Sequence, residues 1–188
     1  MRAEIENFGQ VNFPEERSSV GDIFLRMVNR KGRKVLQIRW ARECDVHELV
    51  ILEGECFDTY YYREHRFDEI KFNDYLQKKV SILLVAVLNS CVIGYAAGSV
   101  LTSRVQLVAF LDGIAVSPRT REKGVGSQLL RCFIEEAKQQ ACKKVMLEVA
   151  MANEEGILFF SRRGFRKIRN LSEFYGKGLD GVLMELDI

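Results

Sequence analysis

The sequence predicts an α/β fold in which parallel and antiparallel strands share one sheet, and three observations predict it. The stretch F-L-D-G-I-A-V-S-P-R-T-R-E-K-G-V-G, from Phe110 to Gly126, runs an apolar strand through Val-x-Pro into Arg-x-x-Gly-x-Gly, and a helical pattern begins at once. A second apolar run, K-V-M-L-E-V from Lys144 to Val149, suits a buried strand parallel to the first, so that strand, helix and strand make one βαβ unit. Upstream, apolar runs from Ser81 to Leu88 and from Val92 to Leu101 flank Asn89-Ser90, a turn pair that makes a hairpin.

In chain order, Met1 to Gly21 is polar with few periodic apolar residues, and residues 1–20 are expected to form a flexible tail. I-F-L-R-M-V, N-R-K-G and K-V-L-Q-I then read as two strands about a turn, which gives the first strand, around Gln37 to Arg39, an extra partner. The chain divides on this reading into an N-terminal extension, residues 1–34, and one domain, residues 35–188. A helix follows from Asp45 to Phe57 with Val46, Leu49, Leu52 and Cys56 inward, and a second from Phe67 to Gln77. The strand that ends the hairpin region, Val105 to Val116, is closed by Pro118, which has no N–H for a continuing ladder. From Ser127 to about Gln140, Leu129, Leu130, Phe133, Ile134 and Ala137 recur at three- and four-residue steps. Asn153 precedes a helix from Glu154 to about Arg163, R-R-G-F starts another strand, and V-L-M-E-L-D-I is the last.

Composition sets the bounds. At 188 residues, 47% hydrophobic and 29% charged, this is one ordinary globular domain, and a formal charge of +2 is too small to argue for nucleic acid. Met1 to Gln10 contains acids and no apolar core, and no run approaches bilayer length, so neither a signal peptide nor a membrane partner is expected and the location is expected to be cytoplasmic. The five cysteines (44, 56, 91, 132 and 142) lack C-x-x-C spacing and read as buried free thiols; no metal is expected. The basic runs Arg30 to Lys34 and Arg162 to Lys167 read as solvated surface.

The glycine turn carries the chemistry. Gly124 and Gly126 let backbone approach a ligand, and the unpaired N–H groups of the next helix turn, with the positive end of its dipole, attract an anion such as a pyrophosphate. Arg121 and Lys123 add charge at the mouth. The loop lacks the Lys-Ser/Thr of a Walker A sequence and the third Gly of a dinucleotide fingerprint.

Together with L-E-V-A-M-A-N-E-E-G-I-L-F-F-S-R-R-G-F and the later F-Y-G-K-G-L-D-G-V-L-M, the turn resembles motif A of the GNAT superfamily of acyl-CoA-dependent N-acyltransferases, in particular the ribosomal-protein-alanine and archaeal N-terminal acetyltransferase branch. The resemblance covers about Val35 to Ile188. It implies a mixed sheet of about seven strands with two splayed parallel strands at its centre and about four helices. It implies acetyl-CoA as cosubstrate, held by the backbone of Ile114, Ala115 and Val116 and by the loop Arg121, Glu122, Lys123, Gly124, Val125, Gly126 and Ser127, with Asn153 and Phe160 beside it.

Acetyl transfer to an amine needs a base for the ammonium and donors for the thioester carbonyl. Glu148 matches the glutamate of L-E-V and is the first candidate base. Asp112 is the second, because it shares strand parity with Phe110 and Ile114. The position where other family members place a base is Phe110 here. The tyrosine usually assigned to protonating the thiolate falls at Phe160, and a thiol of pKa about 8.5 leaves as thiolate at pH 7 at a cost of only about 2 kcal/mol. Tyr175 matches the second residue of the branch's Tyr-Tyr pair, which holds the acceptor, and is also placed to replace the missing acid. Phe57, Tyr60, Tyr61 and Tyr62, between the first two helices, are expected to line the acceptor groove. Deprotonating an α-amine of pKa about 7.7–8.0 costs roughly 1 kcal/mol at pH 7, against roughly 4.6 kcal/mol for a lysine, which favours a protein N-terminus as acceptor. A small amine or a lysine remains the alternative, and an acyl-CoA-binding module without turnover a third.

Overall fold

The computed structural model describes residues 23–28, 35–57, 62, 65–103, 106–120 and 124–188. Eight strands form one sheet: β1 (Ile23–Val28), β2 (Val35–Trp40), β3 (Ser81–Leu88), β4 (Cys91–Thr102), β5 (Leu107–Val116), β6 (Lys144–Ala150), β7 (Arg166–Leu171) and β8 (Gly181–Asp187). Their order is β1-β2-β3-β4-β5-β6-β8-β7. Every adjacent pair is antiparallel except β5 and β6. The sheet has one strand more than the family pattern implies because β1 lies antiparallel to β2. The β3–β4 hairpin turns through Asn89 and Ser90, both at positive φ (52° and 66°), the conformation that a two-residue turn of matching twist requires.

Four helices with bounds among the described residues pack on the sheet: α1 (Val46–Cys56), α2 (Glu69–Gln77), α3 (Val125–Gln139) and α4 (Glu154–Ser161). The two faces bury different sets of residues. Ile82, Leu84, Ala96, Ala109 and Leu111 pack with Leu129, Leu130 and Phe133 of α3 and Phe160 of α4. On the opposite face Leu83, Val85, Tyr95 and Ala97 pack with Leu49 and Leu52 of α1 and Phe72 and Tyr75 of α2. A smaller cluster of Val108, Phe110, Met146 and Leu183 continues beyond them. No helix among the described residues is long and apolar enough to cross a membrane.

All five cysteines are free, but only Cys132 and Cys142 are buried; Cys44 and Cys91 are exposed and Cys56 is half-buried. The expectation of buried thiols fails at Cys44 and Cys91 because one lies in the short 3-10 turn before α1 and the other begins β4, next to the hairpin turn.

Candidate active site

The central feature is a fork in the sheet. Pairing between β5 and β6 runs only from Val108↔Lys144 to Leu111↔Leu147. Beyond it a cleft of about 620 Å³ opens, lined on one side by Asp112, Gly113 and Ile114 and on the other by Glu148 and Val149. Glu148 is thus the first β6 residue past the end of the pairing.

A β-bulge shapes the other arm. Opposite β4, Ala97 pairs with Gly113 but Gly98 pairs with Leu111, so Asp112 is the extra residue. A methyl on Gly113 would meet Tyr95 Oη at 3.1 Å and the Phe67 ring at 3.2 Å, on the α1/α2 side, whereas Ile114 packs against the core beneath α3. The expected parity of Asp112 with both Phe110 and Ile114 is therefore wrong for Ile114, since the inserted residue reverses the alternation. Asp112 stays on the side of Phe110, where its Oδ2 accepts a 2.6 Å hydrogen bond from Tyr75 Oη.

The alternation of the β4–β5 ladder also sorts the backbone. Ser117 N–H donates to Ile93 O at 2.8 Å, which makes that a hydrogen-bonded pair. Successive pairs of an antiparallel ladder alternate, so the next such pair is Ala115 with Tyr95, while Val116 and Ile114 turn their N–H and C=O groups toward the fork. Of the three residues expected to hold the cosubstrate arm, Ile114 and Val116 offer backbone and Ala115 is spent on β4. Val116 O also accepts the Cys56 thiol at 3.4 Å.

Past β5, Gly124 stands at the N-cap of α3 at φ 73°, a left-handed conformation natural to glycine, and brings no side chain to cap the helix. The first-turn N–H groups of α3, with the dipole behind them, suit a phosphate. Gly126 is less constrained: the nearest described neighbours of a methyl there, the Phe159 ring and Val116, would stand at an ordinary 3.6 Å. Val125 is buried in the core beneath α3, and Ser127 Oγ accepts a hydrogen bond from Arg163, whose guanidinium lies 3.7 Å from the Phe159 ring centroid. Arg121, Glu122 and Lys123, with Tyr60 and Tyr61, lie outside the described residues, as do residues 1–20.

Aromatic side chains enclose the cleft. Phe57 meets Tyr62 edge to face at 5.2 Å, and Tyr62 meets Tyr175, from the connection between β7 and β8, at 5.1 Å. Asn153 Nδ2 donates to Tyr62 Oη at 3.1 Å, while its Oδ1 accepts from Gly156 N–H at 2.9 Å and caps α4. Asn153 is thus committed to the wall and to its helix. Burial, with Tyr62 and Glu148 nearby, pushes the Tyr175 phenol above its ordinary range. Phe160 lines the cleft and packs against Phe165, so no acid stands there.

Glu53 was not anticipated as a site residue. It is 3% exposed and lines the cleft, where its carboxylate accepts from Tyr95 Oη and, at 3.0 Å, from Phe67 N–H. Burial raises its pKa despite those bonds and the nearby Arg66. A signal existed, since residues 46, 49, 53 and 56 form one helical stripe and a carboxylate in it must be buried. His65, Arg66, Lys71 and Arg169 also line the cleft and carried no recognisable pattern.

A family model described as "Acetyltransferase (GNAT) family" matches residues 38–165. The chain is 24% identical over 152 residues to N-alpha-acetyltransferase 30 of Dictyostelium discoideum, covering 80% of this chain and 78% of that one. It is 25% identical over 173 residues to an N-alpha-acetyltransferase of Sulfurisphaera tokodaii, covering 85% and 98%. Among solved structures, the ribosomal-protein-S18-alanine N-acetyltransferase of Escherichia coli superposes with a TM-score of 0.68 at 20% identity, over 81% and 94% of the two chains. Arabidopsis thaliana Naa50, in complex with the bisubstrate analogue CoA-Ac-MVNAL, does so with a TM-score of 0.67 at 18% identity, over 81% and 99%. Both likenesses speak for the fold.

Proposed function

Since the chain belongs to the GNAT acetyltransferase family and is an acetyl-CoA-dependent N-acetyltransferase, we propose that its acceptor is the α-amine at the N-terminus of a polypeptide. The observation that carries this reading is the aromatic bridge from Phe57 through Tyr62 to Tyr175. A groove bridged in this way favours the end of a chain over a segment that must run through it in both directions. The names of the relatives point the same way.

Acetyl-CoA, when bound, supplies an acetyl thioester for direct attack by the amine in a ternary complex. The residues present suit it: Ile114 and Val116 turn backbone toward the fork, and the first turn of α3 follows Gly124. The Val116 N–H is the donor we assign to the thioester carbonyl. Glu148 takes the proton from the α-ammonium, and freeing that amine of its proton at pH 7 costs only about 1 kcal/mol before any effect of the site. Asp112 is bonded to Tyr75 and is assigned a supporting charge rather than the base. Tyr175, its phenol held protonated, donates a hydrogen bond to the acceptor backbone and is a poor acid for a thiolate of pKa about 8.5.

The test is release of CoA thiol from acetyl-CoA with short peptides bearing free or blocked N-termini, beside polyamines and lysine peptides. Turnover is expected only with a free α-amine, and Glu148→Gln is expected to lower kcat about 10²-fold or more at pH 7. Turnover of blocked lysine peptides or polyamines at equal efficiency would remove the N-terminal reading, and an unchanged kcat would remove Glu148 as base.

A further inference from the structure

The cleft sorts its charges by depth. Its acids lie inside, with Glu53 buried and Asp112 and Glu148 half-buried at the fork. Its cations belong to the mouth, where His65, Arg66 and Arg169 are exposed and Lys71 is partly so. They arrive from separate elements: His65 and Arg66 precede α2, Lys71 lies in its first turn, and Arg169 comes from β7. Lys71 Nζ stands 5.5 Å from the Tyr75 ring centroid and 5.9 Å from that of Phe67, so cation–π attraction holds it at the edge of the cleft.

Arg169 is aimed there by a bulge. In the β7–β8 ladder Lys167 pairs with Met184 and Arg169 with Leu183, leaving Ile168 as the inserted residue. Residues paired across strands share a face, and Leu183 belongs to the cluster with Phe110 on the cleft side, whereas Met184 belongs to the core beneath α3. Without the insertion Ile168 would pair with Leu183 and occupy that face. The neighbouring Arg166 has a different task, bridging to Glu185 and to Asp187 at 3.2 and 2.7 Å. Gly124, Gly126 and Ser127, by the turn expected to meet the cosubstrate's phosphates, are not among the residues that line this cleft.

On the reading of an α-amine acceptor, we propose that Arg66, Lys71 and Arg169 select acidic N-termini, in which the ammonium enters toward Glu148 and aspartate or glutamate side chains follow within the next few residues. An extended chain advances about 3.3 Å per residue, so the side chains after the first pass the mouth while the amine reaches the fork. A polyamine, positive along its length, meets like charge at the same rim.

The experiment compares kcat/KM for CoA-thiol release with three peptides of one length and one first residue, followed by acidic, neutral amide or basic side chains, with free glutamate as a fourth acceptor. The acidic peptide is expected to exceed the neutral one by about tenfold at low salt, through KM, with the advantage shrinking as ionic strength shortens the screening length. Arg169→Glu is expected to remove or invert the order of the acidic and basic peptides, and Arg169→Lys to retain it. Equal use of acidic and neutral peptides, or an order unmoved by Arg169→Glu, would overturn the proposal while leaving the α-amine reading intact. Failure of every free N-terminus would remove both, and turnover of free glutamate as fast as the acidic peptide would replace the polypeptide with a small amino acid.

Discussion

A carboxylate placed among apolar residues must be satisfied, and Asp45 and Glu53 meet that demand with opposite results. Burial acts to raise the pKa of Asp45, but the Arg39 guanidinium, bonded to both carboxylate oxygens at 2.7 and 2.8 Å, and the Arg42 N–H at 2.8 Å outweigh it and hold the group below its usual range. Glu53, with a phenol and one amide N–H as donors, is left above its usual range by burial. A depressed carboxylate stabilises the fold above its unfolded value and loses that contribution as pH falls through the folded one. Asp45→Asn is therefore expected to lower stability by about 3 kcal/mol at pH 7, because it removes a carboxylate charge that faces the largely buried Arg39 guanidinium. The deficit should begin to shrink below about pH 4, where the unfolded chain takes up its proton first, and should go on shrinking as pH falls through the lower folded value. Urea unfolding of both proteins at pH 7 and pH 3 checks this, and equal deficits at the two pH values would show that packing rather than charge sets the cost.

At the scale of elements, the bulge in β5 matters most, and Gly98 makes it possible. A methyl on Gly98 would lie 2.2 Å from Phe110 O and 2.6 Å from the Phe133 ring, so neither the facing strand nor α3 leaves room for one. Gly98→Ala is expected to cost about 2–3 kcal/mol, or to require the bulge to move. Gly126→Ala, in the first turn of α3 with only ordinary contacts at 3.6 Å, is expected to gain up to about 1 kcal/mol from helix propensity. Thermal unfolding of the two variants should thus shift in opposite directions. A matching gain in Gly98→Ala would mean that the close approach of β4 to β5 is not maintained in solution.

At the scale of the whole molecule, the sheet divides the interior into an α1/α2 layer and an α3/α4 layer, and the thiols report on that division. Burial pushes the Cys142 thiol, just past the end of α3, up to about 12 and raises that of Cys132, on the inner face of α3. Cys44 and Cys91 are exposed, and Cys56 is half-buried with its thiol on Val116 O. A disulfide reagent at pH 8 is expected to label two thiols quickly and one slowly, leaving two protected until denaturant is added. Prompt labelling of all five would mean that the α3 layer opens readily.

The hairpin at Asn89-Ser90, the helical stripe of α3, the strand from Lys144 and the glycine before α3 are all legible in the sequence, as are the family and the place of Glu148 on the second parallel strand. Periodicity, turn residues and the glycine between strand and helix are local signals that need no knowledge of distant neighbours. Tertiary structure alone decided where β5 bulges, because an inserted residue is defined only against its partner strand, and with it that Ile114 faces away from Asp112. It likewise decided that Tyr62, Asn153 and Tyr175 meet over the cleft and that Arg169 turns into its mouth, since Tyr62 lies 91 positions from Asn153 and 113 from Tyr175 in the chain and their proximity depends on the order of the strands.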